Sequence, residues 1–170
     1  MATANLKKHL TTLSKDELVK HIIELDKKYK TVEEFHHFLL SSDSKSTVKK
    51  YKEVIENEYY PKRGEPKMRL SVARNAIGEA KKLGLDALSL ADLMLFYVET
   101  GVRFTNDYGD IDEAFYNSME SMYLKALKFM HKERMLELYR TRAESILNNT
   151  RDIGWGFHDT LGDYFYEFYD

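Results

Sequence analysis

Residues 110–129 read DIDEAFYNSMESMYLKALKF, and this stretch decides the fold class. Phe115, Met119, Met122, Tyr123, Ala126 and Phe129 recur at three- and four-residue steps, so they share one face of an α-helix and leave polar residues to the other face. Asp110 followed by Glu113 has the acidic pattern of a helix start, where carboxylates satisfy free backbone amides and meet the positive end of the peptide dipoles. The run is far longer than an ordinary strand.

The same spacing extends in both directions. Upstream, Ser89 and Asp92 open a helix carrying Leu90, Leu93, Met94, Tyr97 and Val98, and the polar string Thr105 to Asp110 reads as a turn. Leu70, Ala73, Ile77 and Ala80 predict a helix that Gly84 closes in the left-handed conformation. Val48, Tyr51, Ile55 and Tyr59 form another, broken by Pro61. Near the start, Leu6 to Leu13 reads as a short helix, and Ser14 with Glu17 forms a capping box ahead of Leu18, Ile22 and Leu25. Thr31 with Glu34 repeats that box before Phe35, Phe38 and Leu39, and Ser41 to Ser46 reads as a loop. Downstream, Met135, Leu138, Tyr139, Ala143, Ile146 and Leu147 mark a helix over about 132–147, and the aromatic tail Trp155 to Tyr169 predicts a last one.

No period-two alternation is long enough for a sheet, and two prolines with eight glycines are too few for a turn-rich β architecture. The expectation is all-α: an irregular helical bundle or short α–α superhelix of seven to eight helices. A length of 170 residues suits one helical domain, with 1–60 as a candidate N-terminal subdomain and the Pro/Gly-containing stretch 60–66 as its linker. No self-similarity at 34 or 40 residues marks a repeat array.

Composition removes several function classes. Without cysteine there is no disulfide framework, thiolate nucleophile or cysteine-ligated zinc, and the chain suits a reducing compartment, with the cytoplasm as the expected location. Lys7, Lys8 and His9 stand where a signal peptide would need an apolar run. The most apolar stretch, Leu88 to Val98, is short and contains Asp92, so no membrane span is expected. Net charge is −2, distributed as +4 over residues 1–70 and −6 over residues 71–170. The lysines of the N-terminal third make nucleic acid a candidate partner, yet Asp16, Glu17, Glu24, Asp26, Glu33 and Glu34 interrupt any continuous positive stripe.

Four groups of residues could carry chemistry. Glu99, Asp107, Asp110, Asp112 and Glu113 could bind a hard cation, but their spacing is not that of an EF-hand, and helix capping accounts for the last three. Glu33-x-x-His36 and Glu34-x-x-His37 match half of a di-iron helical site, which needs a second such unit that the chain lacks. Gly154-Trp155-Gly156-Phe157-His158-Asp159 sets the only tryptophan between glycines and beside a His-Asp pair, suiting either a tight helix entry or proton transfer. Tyr164, Phe165, Tyr166, Phe168 and Tyr169 lie on more than one side of the last helix, which marks some of them as a candidate interface. Phosphate loops, nucleophile elbows and zinc motifs are missing, so no cofactor is expected.

Leu6 to Leu25 (LKKHLTTLSKDELVKHIIEL), Tyr97 to Gly101, Gly109 to Asp112 and Ile153 to Asp159 together resemble an uncharacterised bacterial family, a domain of unknown function. That resemblance implies a bacterial helical protein and supplies no activity, cofactor or catalytic residue. The opening helix pair also loosely resembles the nucleic-acid-binding SAP fold, without its glycine-containing turn. The function expected is therefore a non-enzymatic protein–protein interaction module that self-associates or binds another protein. Its candidate surface comprises Glu99, Asp107, Asp110, Trp155, His158 and Asp159 with the aromatic C-terminus. The alternatives are a metal-dependent hydrolase built from the acidic residues and His158, and a nucleic-acid binder using the N-terminal lysines.

Overall fold

The helical periodicity is realised along the chain in the computed structural model, which describes residues 2–41 and 43–170. Their elements are α1 (Ala2–Leu10), α2 (Lys15–Lys28), α3 (Lys30–Ser41), α4 (Ser44–Tyr59), α5 (Leu70–Leu83), α6 (Ala87–Tyr108), α7 (Glu113–Lys132), α8 (Leu136–Asn148) and α9 (Phe157–Tyr169). Nine helices among the described residues exceed the seven to eight expected, since every stretch with helical spacing, the three short ones of the N-terminal third included, forms a separate helix. The chain falls into two compact units, residues 1–43 and residues 44–170.

In the first unit the Ser14–Glu17 capping box forms as predicted: the Glu17 amide donates to Ser14 Oγ at 3.3 Å, and the Ser14 amide donates to the Glu17 carboxylate at 2.8 Å. That amide holds the Glu17 carboxyl below the usual range. The second box does not form as a start signal. Helix α3 opens at Lys30, and the Tyr29 carbonyl accepts from the Val32 and Glu33 amides, so Thr31 already lies inside the helix. Asp26 Oδ1 and His36 Nδ1, 2.7 Å apart, tie α2 to α3.

The second unit is arranged around α6, which packs against α4, α5, α7 and α8, while α9 lies against α7 and α8. Leu93, Leu95, Tyr97 and Val98 of α6 are fully buried, together with Ile55 and Tyr59 of α4, Met119, Tyr123 and Leu127 of α7, and Phe157 and Leu161 of α9. Burial of each such side chain is worth roughly 1.5–3 kcal/mol. Gly101 of α6 lets Met119 approach so closely that an added Cβ would collide with its thioether. Inside this core the Tyr97 hydroxyl and Ser118 Oγ are 2.7 Å apart, and Arg74 Nη1 donates to the same serine at 3.0 Å.

Several boundaries move. Gly84 ends α5 at φ 95°, as expected, but the cap of α6 is Asp86, whose carboxylate accepts from the Ser89 amide at 2.8 Å. Residues 105–108 are helical, not a turn. Thr105 is buried, and Phe104 and Tyr108 pack on Tyr60, which carries α6 on to Gly109. Asp112, not Asp110, caps α7 by accepting from the Phe115 amide at 2.8 Å. The stretch 60–66 is followed by a clamp on Glu58: its carbonyl accepts from the Lys67 and Met68 amides, and its buried carboxylate accepts from Arg69 Nε at 3.0 Å and Nη2 at 2.7 Å.

Candidate functional site

Arg142 of α8 reaches the acidic face of α6. Its guanidinium donates to Glu99 at 2.6 and 2.7 Å and to Asp92 Oδ1 at 2.6 Å, and Lys52 lies 2.8 Å from the other Asp92 oxygen. Burial works against the Arg142 charge, but Glu99 and Asp92 more than offset it and raise its pKa. Glu99 is thus engaged in a bidentate pair of the strong, directional kind. Beside it opens a groove of about 380 Å³ lined by Glu99, Val102, Arg103, Asn106, Ile146 and Asn149, among others. Arg103 pairs with Glu56 at 2.8 Å and lies 4.2 Å from the centre of the Tyr60 ring. The Tyr60 hydroxyl donates to Asp107 at 2.6 Å, and burial together with that carboxylate pushes its pKa up to about 12.

Asp110 and Trp155 meet at one place. The Tyr116 hydroxyl donates to Asp110 Oδ1 at 3.0 Å, and the Trp155 ring stacks on Tyr116 with centroids 6.2 Å apart. Gly154 passes close to the same carboxylate, since a Cβ there would sit 3.4 Å from Asp110 Oδ2. Trp155 and Gly156 are both left-handed, at φ 64° and 68°. Glycine adopts that conformation freely, whereas a bulky residue does so only when its surroundings impose it. The two residues form a sharp entry into α9, which therefore starts at Phe157 and not at Trp155.

His158 lies in a second groove, of about 370 Å³, with Asn148, Arg151, Asp159, Asp163 and Tyr166. The buried Thr150 hydroxyl lies 2.7 Å from the Leu147 carbonyl, to which it can donate, and 2.9 Å from His158 Nδ1, with which it shares a hydrogen bond. No residue lines both grooves, and among the described residues no three His, Asp or Glu side chains come together as a metal site would require. Glu99, Asp107 and His158 each have a separate set of partners.

The aromatic C-terminus is divided by its helical faces. Phe165 and Tyr169 are buried, and the Tyr169 hydroxyl donates to the Leu136 carbonyl at 3.0 Å. Tyr164 and Phe168 are half-buried, Phe168 against the His131 ring, while Tyr166 is 55% exposed.

The first unit offers a surface of another kind. None of its described side chains is buried. Val19, Ile22 and Ile23 of α2 are each 47% exposed, Phe35 and Leu39 of α3 are also exposed, and Leu40 reaches 85%. An open apolar hollow of about 490 Å³ lies between α1 and α2, lined by Leu6, Leu10, Leu13 and Leu18 with neighbouring polar residues. Periodicity located these residues but could not say that nothing in the unit covers them. Arg142, Tyr116 and Thr150 were also missed, because their partners are distant in sequence or lie in an unremarkable turn.

No helix among the described residues is long and apolar enough to cross a membrane. No curated protein and no solved structure matches the chain. The chain belongs to DUF6155, a family of unknown function, whose model matches residues 1–168.

Proposed function

We propose that this member of a family of unknown function is a non-enzymatic helical interaction module, in which residues 44–170 form a cored scaffold and residues 1–43 self-associate. One observation carries the reading: seven large apolar side chains, Leu6, Val19, Ile22, Ile23, Phe35, Leu39 and Leu40, are exposed in a unit none of whose described residues is buried. A segment this short cannot bury enough apolar surface by itself to offset the chain entropy of ordering. A contiguous exposed apolar face is also the usual mark of a protein–protein contact. Trp155 and Tyr166 are the exposed aromatics of α9 and its entry, and they offer a smaller secondary contact. The absence of cysteine suits work in the cytoplasm.

The test is the solution mass of the full chain, by light scattering and sedimentation, over about a hundredfold range of concentration. The reading requires the mass to rise from the 20.0 kDa of one chain towards a defined multiple. A mass of 20.0 kDa at every concentration would overturn it.

A further inference from the structure

We propose that the groove beside α9 binds a guanidinium group, with Asp159 and Asp163 as its carboxylates and Tyr166 as the ring it lies against; this stands apart from self-association by residues 1–43. Asp159, Gly162, Asp163 and Tyr166 follow one another at steps of three, one and three residues, so they share one face of α9, and all four line the groove. Neither aspartate has a hydrogen-bond or ion-pair partner among the described residues, because Arg151, which lines the same groove, donates to Asn148 Oδ1 at 2.8 Å instead. Residues four apart on a helix stand about 5–6 Å from each other at Cβ, a gap that the planar, five-donor fork of a guanidinium bridges. The exposed Tyr166 ring, one turn on from Asp163, offers that plane a face to stack on.

The residues of this face weaken the helix that carries them. Gly162 and Asp163, side by side in the middle of α9, are poor helix formers, and the two aspartates are like charges at four-residue spacing. Packing does not demand the glycine: a Cβ on Gly162 would make ordinary contacts with Leu147 Cδ1 at 3.9 Å and Tyr166 Cε2 at 4.0 Å. What the glycine leaves is room in the groove. Departures from good helix design gathered on one groove-lining face mark that face as one in use. The charge it calls for is positive. Asp159 suits the first turn of α9, where the dipole favours an acid, but Asp163 lies beyond that turn. On the other side of the groove, Leu147 and Asn148 belong to the last turn of α8, the negative end of its dipole, and that turn holds no basic residue.

The test is a nuclear magnetic resonance titration of the isotope-labelled full chain at low salt with Nα-acetyl-arginine amide, followed at the Gly162 and Asp163 amides. These amides shift saturably, and Nα-acetyl-lysine amide binds at least about threefold more weakly, because an ammonium lacks the planar fork. Asp163→Asn, which keeps the shape and removes the charge, weakens binding about fivefold, and Arg151→Gln strengthens it about twofold by removing a like charge. Gly162→Ala raises the melting temperature, as helix propensity dictates, yet weakens binding at least about fivefold by filling the groove; a purely structural glycine would not separate the two effects. A parallel titration with free arginine names the source. Tighter binding than the blocked amide assigns the groove to the free amino acid, weaker binding assigns it to an arginine side chain of a partner, and both uphold guanidinium recognition. No saturable shift at Gly162 and Asp163, equal binding of the lysine amide, or an Asp163→Asn chain that binds like the wild type would overturn the proposal.

Discussion

In residues 44–170, Ile55, Leu93, Leu95 and Leu161 expose nothing to solvent, whereas in residues 1–43 Val19, Ile22 and Ile23 each leave nearly half of their surface open. The residue types are alike and so is the spacing, since both regions carry apolar side chains at helical intervals. What differs is the number of helices available to cover each face. In the second unit α6 is enclosed by four neighbours, while α2 makes its main contacts within the unit with α3 alone. An amphipathic pattern thus states that a helix has a face to bury and leaves open whether the same unit or another molecule buries it.

The sharpest way to break this contrast is to remove the same kind of atoms from each region. Leu93→Ala should lower unfolding stability by about 2–5 kcal/mol in urea melts, because a fully buried leucine leaves a cavity in a packed core. A loss below about 1 kcal/mol would mean that the second unit is less tightly packed than its burial implies.

Glu58 sharpens the contrast through electrostatics. Hydrogen bonds from the Arg69 side chain hold its carboxyl below the ordinary glutamate value of 4.5, with burial opposing them. A carboxyl lowered in the folded state binds its proton more weakly there than in the unfolded chain. Its contribution is therefore complete above the ordinary value and drains away as pH falls below 4.5 through the folded value. Glu58→Gln should cost about 1–3 kcal/mol at neutral pH and progressively less in acid. An unchanged difference between wild type and variant from pH 7 down to about 3 would contradict the clamp.

The smallest effect belongs to the first unit: Ile22→Ala in dilute protein should change stability by less than about 0.5 kcal/mol, as substitutions on open surface do. Its effect should appear in the concentration dependence of mass instead. If Ile22→Ala destabilised the dilute chain as much as Leu93→Ala, the two regions would not differ as described.

Local signals were readable in the sequence where they act over a few residues. The Ser14–Glu17 box, the left-handed Gly84 and the buried faces of α4 and α7 all follow from side chains within one or two turns. The misplaced boundaries depend on partners far away in sequence. Residues 105–108 look like a turn until Tyr60 packs on Phe104 and Tyr108. Asp110 looks like a cap until the Tyr116 hydroxyl takes it and Asp112 does the capping. Glu99 reads as a free acid in sequence because Arg142, its partner, lies 43 residues on. Likewise, nothing local separates the buried Phe165 and Tyr169 from the exposed Tyr166; only the neighbours of α9 do.

Amide hydrogen exchange of the full chain at low and high protein concentration tests the central contrast most directly. The account predicts that in dilute solution the amides of α2 and α3 exchange faster than those of α6 and α7 by at least about a hundredfold, and that α2 slows as concentration rises while α6 does not change. Equal protection of α2 and α6 in dilute solution, with no dependence on concentration, would contradict it.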